Sequence, residues 1–213
     1  MKIALLGDIA LFGKYSKDHN ENIYTYFETV KEQLLNYDFV VANLETPFIT
    51  NQKTFGYKSA YIGSSIRNAD ILEYLGINIV NLANNHIFDY GIDALSLTKQ
   101  ILDEHNIQYF GVEGKEVFIK TGNNQVVFSG YCCYSTNPVG IGDSGINELN
   151  FEKIKYHLVD YYQKGWNSIL SIHAGQEHIN YPNHDHILFA RLLSKYAPYV
   201  YYGHHPHVLQ GIE

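Results

Sequence analysis

The chain has 213 residues, enough for one large domain with a full hydrophobic core, and no Pro-, Gly- or Ser-rich linker divides it. Its formal net charge is −7 and its lysines and arginines are scattered, so it lacks the basic face that a nucleic-acid backbone requires. The N-terminal apolar run is broken at Gly7 and Asp8, too early for a signal-peptide core or a membrane-spanning helix. We therefore expect a single soluble domain over residues 1–213, with no nucleic-acid partner and no membrane insertion.

Cysteine usage and aromatic content give weaker indications. The only two cysteines are the adjacent Cys132 and Cys133, which offer no framework of spaced disulfide bonds. This usage is typical of a reducing compartment and favours a cytoplasmic location. The 19 tyrosines and 11 phenylalanines fall mostly in strand-like runs such as 199–202, where aromatic side chains pack well. We interpret them as core and sheet residues, with a carbohydrate-stacking platform as the alternative.

Hydrophobic periodicity predicts alternating strands and helices along the chain. In chain order, the expected strands are 2–6, 38–42, 77–82, 106–112, 116–120, 125–130, 168–172 and 199–202. The expected helices are 22–35, 64–75, 92–105, 151–164 and 184–196. This alternation predicts a parallel-rich sheet in a mixed α/β fold, and the hairpin around Gly122 and Asn123 adds antiparallel strands. Residues 131–150 have no period and are predicted to be a long loop, which in a compact domain often covers a site.

The polar loop 82–91 lies between a predicted strand and a predicted helix. It carries Asn84, Asn85, His86 and Asp89 within six positions. Ligands bind at the carboxyl ends of strands in open α/β sheets, so these amide, imidazole and carboxylate groups are placed to contact a ligand. The alternative is that the same residues only turn the chain and cap the following helix.

Other predicted strands also end in residues that bind metals. Seven of the eleven histidines fall at or after position 173. The strand-end donors are Asp8, Glu45, Asn85 with His86, His173, and His205 with His207. Carboxylate, amide and imidazole groups together suit Mn²⁺, Fe or Zn²⁺ better than Mg²⁺ or Ca²⁺ alone. We therefore predict a site for one or two divalent transition-metal ions at one sheet edge.

The order of these motifs resembles that of a known family. The segments 7–8, 43–45, 84–91, 173–177 and 203–207 look like the successive motifs of the capsule-synthesis proteins of CapA type, which are linked to poly-γ-glutamate. That family is similar to the calcineurin-like metallophosphoesterases. The match spans nearly the whole chain in the right order. It implies a metallophosphatase-like sandwich of two mixed β-sheets flanked by helices, with a two-metal centre at the strand ends.

The resemblance also implies a role for each matching residue. Glu45 would bridge the metals, with Asn85, His173 and His205 on one ion and Asp8 and His207 on the other. His86 would be catalytic, facing the leaving group or the developing phosphoryl charge, and Asp89 would orient it. The residues predicted to contact substrate are Asn84, Glu177, His178 and His204.

The chain departs from the family pattern at several positions. Ala10 stands where a metallophosphoesterase usually has a second histidine near its first aspartate, and Glu45 replaces a shorter aspartate. Ala174 and His186 stand where tryptophan and glutamine are common. The family usually continues past the final Gly-Ile-Glu into another strand, so we expect a truncated or minimal domain without the C-terminal strands.

These features favour a metal-dependent hydrolase of metallophosphoesterase type, associated with capsule or cell-surface polymer biosynthesis. Its substrate would be a phosphoester, or an amide or ester in an anionic polymer. The alternative is a non-catalytic or weakly catalytic accessory protein of capsular polymer assembly or export, which binds through the same cleft and contacts the capsule-synthesis machinery. Nucleophilic catalysis is disfavoured, because Ser171 lies within a predicted strand and no sequence feature identifies a base for either cysteine.

Overall fold

The computed structural model describes residues 1–142 and 144–213. The strands are β1 Ile3–Ile9, β2 Phe39–Leu44, β3 Phe48–Ile49, β4 Ser64–Ser65, β5 Ile79–Asn81, β6 Gln108–Phe110, β7 Val117–Thr121, β8 Asn124–Cys132, β9 Asn167–His173 and β10 Tyr199–His204. The α-helices are α1 Glu28–Leu34, α2 Ala69–Tyr74, α3 Gly91–Glu104, α4 Phe151–Gln163 and α5 His184–Leu193. Short 3₁₀ turns occur at Gly13–Tyr15, Ile23–Tyr26, Ile66–Asn68 and Tyr134–Thr136.

The strands form two four-stranded sheets and one small pair. The first sheet has the order β1-β2-β5-β6 and is entirely parallel. The second has the order β10-β9-β8-β7, with β7 and β8 forming an antiparallel hairpin beside parallel neighbours. Strands β3 and β4 pair separately. The mixed α/β fold and the hairpin are confirmed, but only one sheet is mixed, since crossovers join all strands of the first sheet.

Alternation along the strands divides the hydrophobic core into layers. In β2, Val40 and Ala42 belong to the cluster shared with α2 and α3, whereas Val41 belongs to a cluster that contains residues of both sheets. In β9, Ile169 joins this inter-sheet cluster and Leu170 packs with residues of α4 and α5. Because successive side chains of a strand point to opposite faces, each sheet contacts helices on one face and the other sheet on the opposite face.

The layer between the sheets becomes polar toward the carboxyl ends of the strands. Two positions after Val41 and Ile79, on the same strand faces, stand Asn43 and Asn81, which are both fully buried. In β9 the face of Ile169 continues to His173, which is also fully buried. The two sheets therefore enclose polar side chains at one end of their shared interior.

Two glycines make room for one of these asparagines. A Cβ atom on Gly111 or on Gly130 would overlap the Asn81 Oδ1 atom, and Gly111 also has φ of +91°. The Asn81 side chain donates to Asn43 Oδ1 at 3.1 Å and accepts from the Ala83 N–H group at 2.9 Å. The close approach of the two sheets at this level thus depends on residues without side chains.

Several element boundaries differ from those predicted. The helix predicted at 22–35 is a 3₁₀ turn followed by the shorter α1, and the one predicted at 64–75 begins with strand β4 and a 3₁₀ turn. The strands β1, β9 and β10 continue past their predicted ends to residues 9, 173 and 204, because their ladder pairing continues. Gly76 has φ of +70° and follows α2, as expected for a helix stop.

The segment predicted as a long loop starts two residues late, since β8 reaches Cys132. Its described part is tied to the core by isolated bridges, including Val112 with Ile146 and Cys132 with Glu148. Asp143 of this predicted loop lies outside the described residues. Among the helices that the structure describes, none is long and apolar enough to cross a membrane.

The glycine at position 130 gives the first testable prediction. Gly130→Ala should destabilise the protein by about 1–3 kcal/mol, the usual range for overpacking a core, because the new methyl group overlaps Asn81. Gly7→Ala in β1 is the matched control, since a Cβ there would meet no atom within 4 Å. Urea unfolding of both variants measures the difference, and equal stability would contradict the steric explanation.

Candidate metal centre

The predicted metal-binding residues come together from both sheets. Asp8 in β1 and Glu45 after β2 belong to the first sheet, whereas His173 ends β9 and His205 and His207 follow β10 of the second. The prediction placed these residues at the edge of one sheet. They instead meet across the space between two sheets, because their strand faces point into the shared interior.

Asp8 is the most densely contacted residue of the site, with a side chain only 9% exposed. Its Oδ1 atom accepts from Asn43 Nδ2 at 2.7 Å and lies 3.2 Å from His204 Nδ1. Its Oδ2 atom accepts from the His205 backbone N–H group at 3.0 Å and lies 3.2 Å from His207 Nδ1. This one carboxylate therefore joins the first sheet to the end of β10.

The two carboxylates of the site titrate in opposite directions. Burial opposes ionisation of Asp8, but hydrogen bonds with His204 and His207 hold its pKa well below the ordinary value. Burial and the nearby charge of Asp8 raise the pKa of Glu45 to about 8. An ionised Glu45 therefore lacks sufficient positive charge around it.

His173 lies at the centre of the site and is fully buried. Its Nε2 atom is 2.9 Å from Asn85 Oδ1 and 3.8 Å from Glu45 Oε1, and its Nδ1 atom is 4.0 Å from Asp8 Oδ1. Burial holds the pKa of His173 well below its ordinary value, although Asp8 partly opposes this effect. The imidazole is therefore neutral, which is the form that binds metal ions.

Two groups of candidate ligand atoms share one residue. Asp8, Glu45 and His173 form one group, and Glu45, His205 and His207 form the other, with the ligand atoms of each group within 4.8 Å of one another. Glu45 is common to both, the position of a bridging carboxylate. Within these groups His173 lies with Asp8 and His207 lies with His205, but His207 Nδ1 also lies 3.2 Å from Asp8 Oδ2, so which residues share an ion stays a prediction. Asn85 reaches this region through its contact with His173.

The residues present fit a divalent cation. The His205 Nδ1 atom is buried and has no hydrogen-bond partner among the described residues, so it is a free donor to a metal. A cation would also offset the poorly compensated charge of Glu45. Carboxylate and imidazole ligands together suit a transition metal.

The backbone of the last histidine segment is strained. His205 has φ of 89° and His207 has φ of 55°, and both values fall in the left-handed region that non-glycine residues rarely adopt. This conformation directs the His205 N–H group to Asp8 and places both imidazoles near Glu45. Such strain is commonly kept where it positions functional groups.

His86 and Asp89, the predicted catalytic residues, contact each other directly. The His86 Nδ1 atom lies 2.7 Å from Asp89 Oδ2, and the Asp89 side chain is fully buried. Asp89 Oδ2 also accepts from the Ile62 N–H group at 2.9 Å, and Asp89 Oδ1 accepts from Lys58 Nζ at 2.6 Å. The sequence does not indicate a role for Lys58, since nothing in residues 50–63 distinguishes it from Lys53.

Asn84, a predicted substrate contact, is part of the scaffold. It is fully buried. Its Oδ1 atom accepts from the N–H groups of His86 and Ile87 at 3.1 and 2.9 Å, and its Nδ2 atom donates to the Leu44 carbonyl at 2.8 Å. Contact of Asn84 with substrate stays a prediction, and its amide already has protein partners on both its oxygen and its nitrogen. Turn chemistry, the alternative for this loop, applies to Asn84.

The other predicted substrate contacts have different surroundings. His204 is 2% exposed and its Nδ1 atom lies 3.2 Å from Asp8 Oδ1, and its contact with substrate stays a prediction. Glu177 and His178 are exposed. The charge of Glu177 affects the pKa values of Glu45 and His205, and the His178 ring lies 6.2 Å from the His207 ring. Contact of these two residues with substrate stays a prediction.

Asn43 is a site residue that the sequence analysis left unassigned. Its amide donates to Asp8 and lies 3.3 Å from His173 Nδ1, and its Oδ1 atom accepts from Asn81. The available signal was its position two residues after Val41, which places it on the face of β2 toward the other sheet. Asn43 therefore holds a carboxylate of the first sheet beside a histidine of the second.

The structure also gives Cys133 a basic neighbour that its sequence context did not reveal. Burial opposes ionisation of the thiol, but hydrogen bonds with His186 and Ser135 lower the pKa of Cys133. Its backbone N–H group donates to the His173 carbonyl at 2.9 Å, whereas its side chain packs against the cluster that contains residues of α4 and α5. His186, one of the departures from the family pattern, thus contacts a residue of the adjoining loop.

Protonation of the site gives a second testable prediction. Because the pKa of Glu45 is raised to about 8, this carboxyl is largely protonated at neutral pH and must lose its proton to bind a cation. The affinity for Mn²⁺ should therefore rise as the pH is raised toward about 8, with release of up to about one proton from Glu45. Calorimetry in buffers of different ionisation enthalpy measures this release. Glu45→Gln should reduce it, and unchanged release in that variant would contradict the assignment.

Comparisons with known proteins agree with the motif order. The model of the family described as "Bacterial capsule synthesis protein PGA_cap" matches residues 2–213. The chain is 29% identical to the PGA biosynthesis protein CapA of Bacillus subtilis (strain 168), over 100% of this chain and 59% of the relative. It is 25% identical to the capsule biosynthesis protein CapA of Bacillus anthracis, over 100% of this chain and 56% of the relative. The chain thus spans less than two thirds of the length of these relatives, and its matched family model covers nearly all of its own residues. The chain belongs to the bacterial capsule synthesis protein family PGA_cap.

Proposed function

We propose that this protein is a metal-dependent hydrolase of phosphoesterase type that works in capsule or cell-surface polymer biosynthesis. The observation that carries the proposal is the arrangement around Glu45. Two groups of candidate ligands share this carboxylate, and His86 is held by Asp89 close to them. Burial is the main cause of the lowered pKa of His205, and the charge of His86 lowers it further, so the two rings are close enough to interact. A residue that can donate or accept a proton, His86, therefore lies next to the candidate metal ligands.

The fold supports this proposal. We infer that residues 1–213 form one domain with the metallophosphatase-like sandwich implied by the family resemblance. Two facing sheets with a shared apolar cluster, each packed on helices, are what such a sandwich requires. The site lies at the strand ends, where α/β folds commonly bind ligands.

The chain's own residues would divide the work as follows. Glu45, with Asp8 and His173 on one side and His205 and His207 on the other, would hold one or two ions of Mn, Fe or Zn. When bound, such ions supply Lewis acidity toward a phosphoryl oxygen and lower the pKa of a water molecule. The residues Asn43 and His204 would keep Asp8 in place.

His86 would handle the proton at the leaving group. Its Nδ1 atom is occupied by Asp89, and its Nε2 atom has no hydrogen-bond partner among the described residues. The Nε2 atom is therefore the one available to exchange a proton with a leaving oxygen or to stabilise charge on it. Asp89 fixes the ring orientation, as carboxylates beside functional histidines commonly do.

The substrate class follows from the family rather than from the geometry. The matched relatives carry names of PGA and capsule biosynthesis proteins. We propose an anionic polymer or a phosphoester precursor as the substrate, with the capsule-synthesis machinery as partner. A cytoplasmic location stays a prediction from the sequence.

A non-catalytic or weakly catalytic accessory protein is the second candidate function. Ala10, which offers no ligand, favours it, because the resemblance expects an imidazole there. In that case the same cleft would bind metal or anionic polymer without turnover. Measuring metal content together with hydrolysis of bis(p-nitrophenyl) phosphate in added Mn²⁺ separates the two. Metal without turnover would support the accessory role, and a protein that takes up no transition metal would contradict the metal-dependent hydrolase.

Replacement of His86 gives a third testable prediction. His86→Ala should lower the hydrolytic rate by about 10²–10⁴-fold, the scale for a lost general acid or base, and leave Mn²⁺ binding nearly unchanged. His19→Ala, which alters an exposed histidine outside the site, is the control. Loss of metal from the His86 variant would show that His86 is a ligand and that its proposed role is wrong.

A further inference from the structure

Lys58 is a charged side chain in an unusual environment. It lies in the segment between β3 and β4, and its side chain is only 4% exposed. Lysine is rarely buried unless it is paired, because removing the ammonium group from water is costly. Its ion-pair partner Asp89 is 0% exposed, so both charges are kept from solvent together.

The ammonium group is surrounded by protein atoms. It donates to Asp89 Oδ1 at 2.6 Å and to the Asn85 backbone carbonyl, and it lies 3.2 Å from His86 Nδ1. A lysine has three donors and no acceptor. With its charge committed to these partners and almost no exposed surface, Lys58 is not placed to bind a substrate phosphate or carboxylate directly.

The contact with Asp89 defines the tautomer of His86, because the Lys58 ammonium group, 3.2 Å from the same ring nitrogen, already donates to Asp89 Oδ1 and to the Asn85 carbonyl. The His86 Nδ1 atom lies 2.7 Å from Asp89 Oδ2. An ionised Asp89, held by Lys58 and by the Ile62 N–H group, can only accept hydrogen bonds, so the proton between them belongs to His86 Nδ1. The Nε2 atom then carries the lone pair and is the free nitrogen of the ring.

Lys58 also connects His86 to the candidate metal ligands. The carbonyl that it binds belongs to Asn85, whose side chain contacts His173 Nε2 at 2.9 Å. The segment that carries Lys58 is fastened to the same loop, because the Phe55 N–H group donates to the Asp89 carbonyl at 2.7 Å. One lysine thus fixes the ring of His86 relative to the neighbouring ligand.

We propose that Lys58 is a positioning residue that keeps Asp89 a pure acceptor, holds His86 as the Nδ1–H tautomer and sets the place of its Nε2 atom beside the metal centre. The effect on turnover rests on the proposed function, whereas the tautomer does not. The role differs from that of Asp89, which accepts the His86 Nδ1 proton, because Lys58 donates its hydrogen bonds to Asp89 Oδ1 and to the Asn85 carbonyl.

The direct test is nitrogen NMR of the His86 ring in metal-free protein, comparing wild type with Lys58→Met. Wild type should show the Nδ1–H tautomer, and Lys58→Met should show a mixture, because a buried Asp89 without its cation no longer acts only as an acceptor. Lys53→Met is the matched control, an exposed lysine of the same segment with no hydrogen bond or ion pair in the described part of the chain. An unchanged tautomer in Lys58→Met would overturn the proposal.

Kinetics and metal binding form the second part of the test. Lys58→Met should lower kcat for bis(p-nitrophenyl) phosphate by about 10–100-fold with little change in KM, the range for partners that orient a functional group. Calorimetry should give a Mn²⁺ affinity within about threefold of wild type, a change smaller than that range. A fall in Mn²⁺ affinity equal to the fall in kcat would overturn the proposal, since Lys58 would then act through the metal ligands. If wild type shows no turnover, the proposed function fails while the NMR comparison still decides the role of Lys58.

A second variant covers the case in which Lys58→Met does not fold. The double variant Lys58→Met with Asp89→Asn removes both charges, so no unpaired ion stays buried. The amide at position 89 can donate or accept toward His86 Nδ1, so the tautomer mixture is again expected. A retained Nδ1–H tautomer in the folded double variant would overturn the proposal.

Discussion

The carboxylate of Asp8 joins the two sheets at their carboxyl ends, and the architecture of the site depends on it. It accepts from Asn43 of its own sheet and from the His205 backbone of the other, with two further imidazoles at 3.2 Å. A largely buried carboxylate requires such a dense set of donors, because each missing donor costs free energy. The polar layer of asparagines and histidines supplies these donors, and glycines make room for it. In this layer polar side chains replace the apolar packing found in the rest of the interior.

A second buried charge is treated separately. Asp89 is balanced by Lys58 rather than by the histidines of the centre, and removing one partner of such a buried pair typically costs about 3–5 kcal/mol. The pair also fastens the segment before β4 to the loop that carries His86. The same contacts therefore balance the charge of Asp89 and position the ring of His86. The two carboxylates connect different parts of the structure. Asp8 connects the two sheets, and Asp89 connects the segment between β3 and β4 to the loop that carries His86.

Local periodicity predicted much of the fold. The hairpin β7–β8 and the helices α3 and α4 follow their hydrophobic patterns closely, since an amphipathic pattern specifies both the element and its buried face. The division into two sheets could not be derived from the residues alone, because pairing of β8 with β9 rather than with β6 depends on distant contacts. Among the site residues, those at strand ends could be predicted as candidate metal ligands from their residue type and position. Lys58 was not, because its partners lie 27 to 31 positions away and the segment that carries it has no periodic pattern.

The substitution at Ala10 affects the two halves of the centre unequally. Both oxygens of Asp8 already accept hydrogen bonds, from Asn43 Nδ2 and from the His205 N–H group, and each also lies 3.2 Å from an imidazole nitrogen. An ion on that side competes with these contacts, without help from an imidazole at position 10. On the other side, His205 Nδ1 is buried with no partner among the described residues, while Glu45 is common to both sides. A ligand atom that has no hydrogen bond in the metal-free protein binds a cation more favourably, because no existing hydrogen bond has to be broken. The group of Glu45, His205 and His207 is therefore the better prepared of the two, and the Asp8 side depends more on how firmly its carboxylate is already held.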